Sequence, residues 1–300
     1  MLSSVPTALE RSMFSTIAYH AYFGYPLTLH EIWKWVMADE PVTFADVRRA
    51  LVKSEWLRDR IVQVGPYYGI GDVSSQVQNR ARRYADAMRK YRKAHWFARI
   101  FQWLPGVESV AICNSLAFHF TTSSSDIDLF IVTSSRNTWT ARLLTTLPAM
   151  LFRQRPGECA LDPLCLSFFV SVDALDLSNL KLDADDPYFS FWFATLSPMI
   201  VRDDVLANVW GANNWLRQRL PNAEPVRRAS AFRVRPRNRA WRLLWLEPRA
   251  ERMQRERFPA HIRDLMNVDT RVVVTNSVLK FHDHDRREEI RAALRAKLNV

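Results

Sequence analysis

The chain has 300 residues, a hydrophobic fraction of 48% and 42 Lys+Arg against 31 Asp+Glu, a formal net charge of +11. That length suggests two domains, or one large one with appendages, and an ordinary core. The charge favours polyanionic or phosphate-bearing partners, although arginine-rich chains without such partners are also common. No stretch of 18 apolar residues is free of charge, and the first twenty residues lack a basic lead into an apolar segment. Membrane and secretory readings therefore have no support, and a cytoplasmic protein with no membrane contact is expected. Cys113, Cys159 and Cys165 are too few and too irregularly spaced for a zinc site or a disulfide framework, and read as small core residues of a reducing compartment.

Taken in order, the chain divides into segments 1–73, 74–104, 105–222 and 223–300. In the first, ALERSMFSTIAYHAYF has apolar residues at helical spacing. Thr28 with Glu31 forms a capping box ahead of a second helix, and Thr43 with Asp46 marks a third. IVQVGPYYGI is two short apolar runs about Gly65-Pro66, a hairpin. Three helices and a hairpin are the order of a winged helix-turn-helix. Arg48, Arg49 and Lys53 on its third helix would face a nucleic-acid groove, or the unit serves as a protein-protein module.

Segment 74–104 reads as one long basic linking helix, with Arg80, Arg82, Arg83, Arg89, Lys90, Arg92, Lys93 and Arg99 facing Asp86 as the single acid. Pro105-Gly106 ends it. Segment 105–222 alternates strand and helix: VESVAIC, DIDLFIVT and LCLSFFVSV are strands, and NTWTARLLTTLPAMLFR is a helix between the last two. The fold class is therefore mixed α/β (α+β). Segment 223–300 reads as mostly helical and basic. Arg227 to Arg263 holds twelve arginines against Glu247, Glu251 and Glu256, a net of +9, and weak nucleic-acid binding without sequence preference is expected there.

The chemistry concentrates in CNSLAFHFTTSSSDIDLFIVT, residues 113–133. Strand residues alternate sides, so Asp126 and Asp128 share one side and Ile127 and Leu129 the other. A same-side carboxylate pair is costly unless a cation lies between them, and magnesium suits hard oxygen ligands beside phosphates. Upstream, the turn at Asn114-Ser115 offers backbone N–H groups and a hydroxyl for phosphate oxygens. A purely structural reading, in which the aspartates cap the strand and face water, is the alternative.

This stretch resembles the nucleotidyltransferase superfamily related to DNA polymerase beta. The shared pattern is an apolar strand, a Gly-Ser turn, about ten residues and then Asp-x-Asp in a second strand. Here ten residues separate Ser115 from Asp126. YFGYPLTLHEIW, SLAFHFTTSSSDIDLFIVT, WTARLL and NNWLRQRLPN extend the likeness over most of the chain, to a bacterial group that joins an N-terminal winged helix to such a domain. The motif is specific for the fold and silent on the substrate. The resemblance implies a magnesium- or manganese-dependent transfer of a nucleoside monophosphate from a nucleoside triphosphate to an acceptor, which could be a protein, a nucleic acid or a small molecule. Asp126 and Asp128 would be the metal-binding catalytic pair, with Asn114 and Ser115 on the phosphates. Arg136 and Arg142 could meet base and phosphates near Trp139, or be solvated arginines beside a core tryptophan.

Two departures are visible. Asn114 replaces the family's glycine; asparagine is the next residue to tolerate positive φ. The third carboxylate is missing, with Ser167 expected at its position and Asp173 a poor substitute beyond the strand. Slow or absent transfer is therefore expected, and the alternative is a non-catalytic nucleotide-responsive or nucleic-acid-binding protein on a degenerate transferase fold. Elsewhere, His282, Asp283, His284 and Asp285 could bind a transition metal. Asp285 with Glu288 is better read as a capping box for the last helix.

Overall fold

The chain begins its first helix where Thr7 and Glu10 exchange hydrogen bonds. The Thr7 hydroxyl accepts from the Glu10 N–H, and a Glu10 carboxylate oxygen accepts from the Thr7 N–H at 2.7 Å. This satisfies amides that every helix start leaves open. The computed structural model describes residues 5–158, 161–202, 205–226, 231–236 and 241–298. Cys159 and four of the arginines expected on the basic surface (Arg227, Arg228, Arg237 and Arg239) lie outside the described residues.

The N-terminal unit contains α1 (Ala8–Tyr22), β1 (Leu27–Thr28), α2 (Leu29–Lys34), α3 (Phe44–Lys53), α4 (Glu55–Arg58), β2 (Val62–Val64) and β3 (Tyr67–Gly69). Thr28 and Glu31 form the expected capping box, and the Thr43 hydroxyl accepts from the Asp46 N–H. Gly65 takes φ 56° at the hairpin turn, where glycine meets no Cβ penalty. The three short strands pair antiparallel in the order β1-β3-β2.

Helix α5 (Val73–Phe101) follows, 29 residues long and so about 43 Å. Its basic residues are less free than expected. Arg80 pairs with Glu31 at 2.7 Å, Arg89 with Asp162 at 2.7 Å, and fully buried Lys90 with Asp162 at 2.5 Å. Acids distant in sequence, not Asp86 alone, answer part of the charge of this helix.

The remaining elements are β4 (Val107–Ile112), α6 (Asn114–Ala117), β5 (Ile127–Thr133), α7 (Thr138–Leu151), β6 (Leu164–Ser171), α8 (Pro187–Ala194), β7 (Ser197–Val201), α9 (Val205–Ala212), α10 (Glu247–Glu256), α11 (Ala260–Leu265), β8 (Val272–Val274), β9 (Val278–Phe281) and α12 (Arg287–Leu298). A six-stranded mixed sheet runs β7-β4-β5-β6-β9-β8. Its β5–β6 pair is parallel and its other pairs are antiparallel. One face carries Phe130, Val132, Phe168 and Val170 and shares a core with α1 and α8. The other carries Ile127, Leu129, Ile131 and Phe169 and packs with α5, α7 and α10. The architecture is mixed α/β, and no helix among the described residues is long and apolar enough to cross a membrane.

Two expectations fail here. Segment 223–300 is not mostly helical: β8 and β9 turn at Thr275–Ser277, and β9 pairs with β6. Residue 222 is therefore no boundary, because the sheet is completed from beyond it. The final helix also starts differently. Asp285 accepts from the Arg287 N–H at 2.9 Å and pairs with its guanidinium, while Glu288 pairs with Arg291 instead of completing a capping box.

The Lys90–Asp162 pair yields a test. Asp162 takes φ 54°, which asparagine tolerates equally, so Asp162→Asn isolates the charge. Leaving Lys90 buried with only the more distant Asp86, at 3.6 Å, should lower stability by up to about 3–5 kcal/mol in a denaturant titration at neutral pH. Although burial opposes it, Arg89 and Lys90 hold the Asp162 carboxyl below its ordinary value. Its stabilisation is then full above the ordinary carboxylate range and is lost as pH falls through the lowered folded value. The gap between wild type and variant should accordingly close in strong acid; an equal gap at both pH values would refute the pairing.

Candidate functional site

Strand β4 ends at Ile112, and the backbone turns back at Asn114, whose φ is 54°. Asparagine thus adopts the left-handed conformation that it tolerates better than most residues with a side chain. The turn closes through the Phe120 N–H donating to the Ser115 carbonyl at 2.9 Å. On the neighbouring strand the Cys113 N–H donates to the Asp128 carbonyl at 3.1 Å. Asn114 is near enough to favour the ionised form of the Asp128 carboxyl, against burial. Asn114, Ser115, Asp126 and Asp128 are therefore gathered at one end of the β4–β5 pair.

The approach to Asp126 is fixed from behind. Lys90 Nζ donates to the Ser125 carbonyl at 2.8 Å while pairing with Asp162. Burial raises the Asp126 carboxyl above its ordinary value, with Lys90 opposing. Burial also raises Asp128, reinforced by the charge of Asp126 and opposed by hydrogen bonds from Asn114 and Cys165. Both carboxyls are thus shifted toward the protonated form, a shift that a bound cation would oppose.

The third strand corrects the sequence reading. In the parallel β5–β6 register Asp128 stands opposite Cys165, and a bulge follows before Phe130 meets Phe168. Cys165, not Ser167, is thus the immediate neighbour of Asp128. Burial and the nearby aspartates push its thiol well above the usual range. Ser167 lies 3.3 Å from Cys165 Sγ and 3.1 Å from His282 Nε2. Asp173 is held by Ser171 beyond the far end of β6.

Both arginines fall outside the site. Arg136 is exposed in the turn after β5 with φ 56°, beyond Thr133, which is itself roughly 17 Å along the strand from Asp128. The N-terminus of α7 beside it is already satisfied: the Glu247 carboxylate accepts from the N–H groups of Trp139 and Thr140, each at 2.8 Å. Arg142 belongs to the opposite sheet face. It donates to Gln254 at 2.5 Å and lies over the Phe281 ring at 4.6 Å. Trp139 is a core residue.

The residues 282–285 do not converge on one point. His282 meets Ser167, Asp283 lies 3.5 Å from His261, and Asp285 holds Arg287. Among the described residues no group of three or more His, Cys, Asp or Glu side chains is placed to hold a metal. At Asp126 and Asp128 the protein offers two carboxylates, which matches the habit of magnesium: one or two carboxylates, with phosphate and water completing the shell.

Sequence reasoning missed Tyr188 and Trp192 of α8 and Phe23 after α1. Tyr188 donates to Asn114 Oδ1 at 3.4 Å, across 74 residues of chain. These three side chains and Asn114 line two adjoining cavities, each of about 220 Å³. No local pattern announces such contacts.

No protein-family model, no curated protein and no solved structure matches the chain.

The strain at residue 114 is testable. Asn114→Gly should leave thermal stability unchanged or slightly higher, whereas Asn114→Val should lower it by about 1–2 kcal/mol, because a β-branched residue is disfavoured at positive φ. Equal melting of the two variants would remove the left-handed turn from the argument.

Proposed function

We propose that the chain is a magnesium-dependent nucleotidyltransferase with an N-terminal winged helix and a nucleotidyltransferase-type sheet. The observation that carries this reading is the left-handed Asn114 turn, which the Cys113 N–H joins to the Asp128 carbonyl at 3.1 Å, with Asp126 two residues before Asp128. In the reaction, an acceptor hydroxyl bonds to the α-phosphorus of a nucleoside triphosphate, the bond to pyrophosphate breaks, and the hydroxyl proton is released. Asp126 and Asp128 would hold the metal, which when bound supplies charge neutralisation at the phosphates. The Ser115 hydroxyl and the N–H groups of its turn meet the terminal phosphate oxygens.

A second reading has its own support. Cys165 occupies the place beside Asp128 where a third carboxylate would serve, and a neutral, buried thiol is neither a base nor a magnesium ligand. That favours slow transfer, or a nucleotide-responsive protein without turnover. Nucleic acid remains a secondary partner for Arg48 and Lys53 on α3, for Arg82, Arg92 and Arg99 on α5, and for Arg235, Arg242, Arg249, Arg252, Arg257 and Arg263 of the C-terminal segment, all exposed.

Triphosphate binding followed by calorimetry should require magnesium or manganese. It should lose that requirement together with most of its affinity in Asp126→Asn/Asp128→Asn; equal affinity with and without the ion would reject the metal bridge.

Cys165→Asp should restore the missing charge. Three neighbouring carboxylates will lower the melting temperature of the metal-free protein, and magnesium should recover it. General-base assistance of about 10²–10⁴-fold is then available to the transfer rate. A folded variant with no magnesium-dependent gain in melting temperature or rate would reject this position as the vacant carboxylate site.

A further inference from the structure

We infer that the cavity between α1 and α8 seats the flat heteroaromatic ring of a nucleotide, with a wall supplied by the N-terminal unit. The inference deepens the proposed function and rests on it for the identity of the phosphate-bearing end. Tyr19 and Phe23 form the α1 side, Tyr188 and Trp192 the α8 side, and Phe118 and Phe120 a third side. Asn114 and Ser115 also line it, so the same turn that meets Asp128 faces the cavity.

Size and chemistry select the occupant. About 220 Å³ is below the roughly 300–1,000 Å³ of sites that enclose a whole drug-sized ligand. One ring system fits, and an attached triphosphate must extend out of it. The walls are aromatic faces, which stack on any nucleobase. Arg83 also lines the cavity; it lies over the Phe120 ring at 3.9 Å and has no carboxylate partner among the described residues. The loop residues Thr122 and Ser125 line it too, and Ser125 leads directly into Asp126 in the chain. A ring placed inside thus has a cation and a polar turn beside it, and the lining segment continues into the aspartate pair, which lies outside the cavity wall.

The two units are already joined at this place. The Tyr19 ring of α1 stacks on Phe191 of α8 with centroids 4.3 Å apart. A bound ring between the same helices therefore bridges the N-terminal unit and the sheet.

The test uses calorimetry on the full chain with magnesium and three kinds of probe: the four common nucleoside triphosphates, tripolyphosphate, which has no ring, and adenosine, which has no phosphate. At least one nucleoside triphosphate should bind tenfold or more tighter than tripolyphosphate. Phe23→Ala, at a half-buried position, should weaken that nucleotide by roughly 5- to 100-fold and leave tripolyphosphate unchanged; Phe23→Tyr should restore it. Phe118→Ala provides the same test should Phe23→Ala melt early. Nucleotide affinity unchanged in a stable Phe23→Ala or Phe118→Ala variant would overturn the ring seat, even if Asp126→Asn still abolished magnesium-dependent binding and so upheld the transferase reading. Adenosine binding that depends on Phe23, with no tripolyphosphate binding at all, would uphold the seat and sink the transferase reading instead.

Discussion

Lys90 is a lysine sealed from water, and the geometry of the site depends on how its charge is answered. A buried ammonium without partners would cost several kcal/mol. Asp162 answers it at 2.5 Å, the Ser125 carbonyl at 2.8 Å and Asp86 at 3.6 Å. The first two partners come from separate segments, one entering β5 and one entering β6. Asp126 follows Ser125 directly, and Cys165 follows Asp162 by three residues. The same ammonium therefore sets the position of the aspartate pair and of its neighbour on β6, and ties both to helix α5.

Only local features were readable in advance: asparagine tolerates positive φ, and residue 114 takes φ 54°, which depends on two or three adjacent residues. The failures share a different cause. Ser167 was assigned by counting along β6, but the bulge opposite Asp128 adds a residue, and a shift of one position changes which side chain faces the neighbour. Arg142 was assigned by proximity in sequence to β5, while the helix that carries it covers the other face of the sheet. The β8–β9 hairpin was missed because buried Lys280 interrupts a short apolar run, and its burial is created only by the strand it pairs with.

The basic surplus also changes meaning once folded. Read along the sequence, +11 describes a surface for polyanions. In the structure Arg80, Arg89, Lys90 and Arg287 are structural cations, and Arg287 alone links Asp285, Asp186 and the Leu180 carbonyl. Asp186 is at once the N-cap of α8 and a partner of Arg287, so the helix bearing Tyr188 and Trp192 is anchored to α12 through charge. What remains exposed includes Arg48 and Lys53 on α3, Arg82, Arg92 and Arg99 on α5, and Arg235, Arg242, Arg249, Arg252, Arg257 and Arg263 of the C-terminal segment, so part of the surplus stays at the surface where salt would screen it.

Asn114 gives the site a connection that glycine could not. Its backbone takes φ 54° after β4, and its side-chain oxygen accepts from the Tyr188 hydroxyl at 3.4 Å. Tyr188 lines both cavities beside this turn. One residue therefore supplies the left-handed turn and joins it to the aromatic wall of α8, a contact that needs a side-chain acceptor.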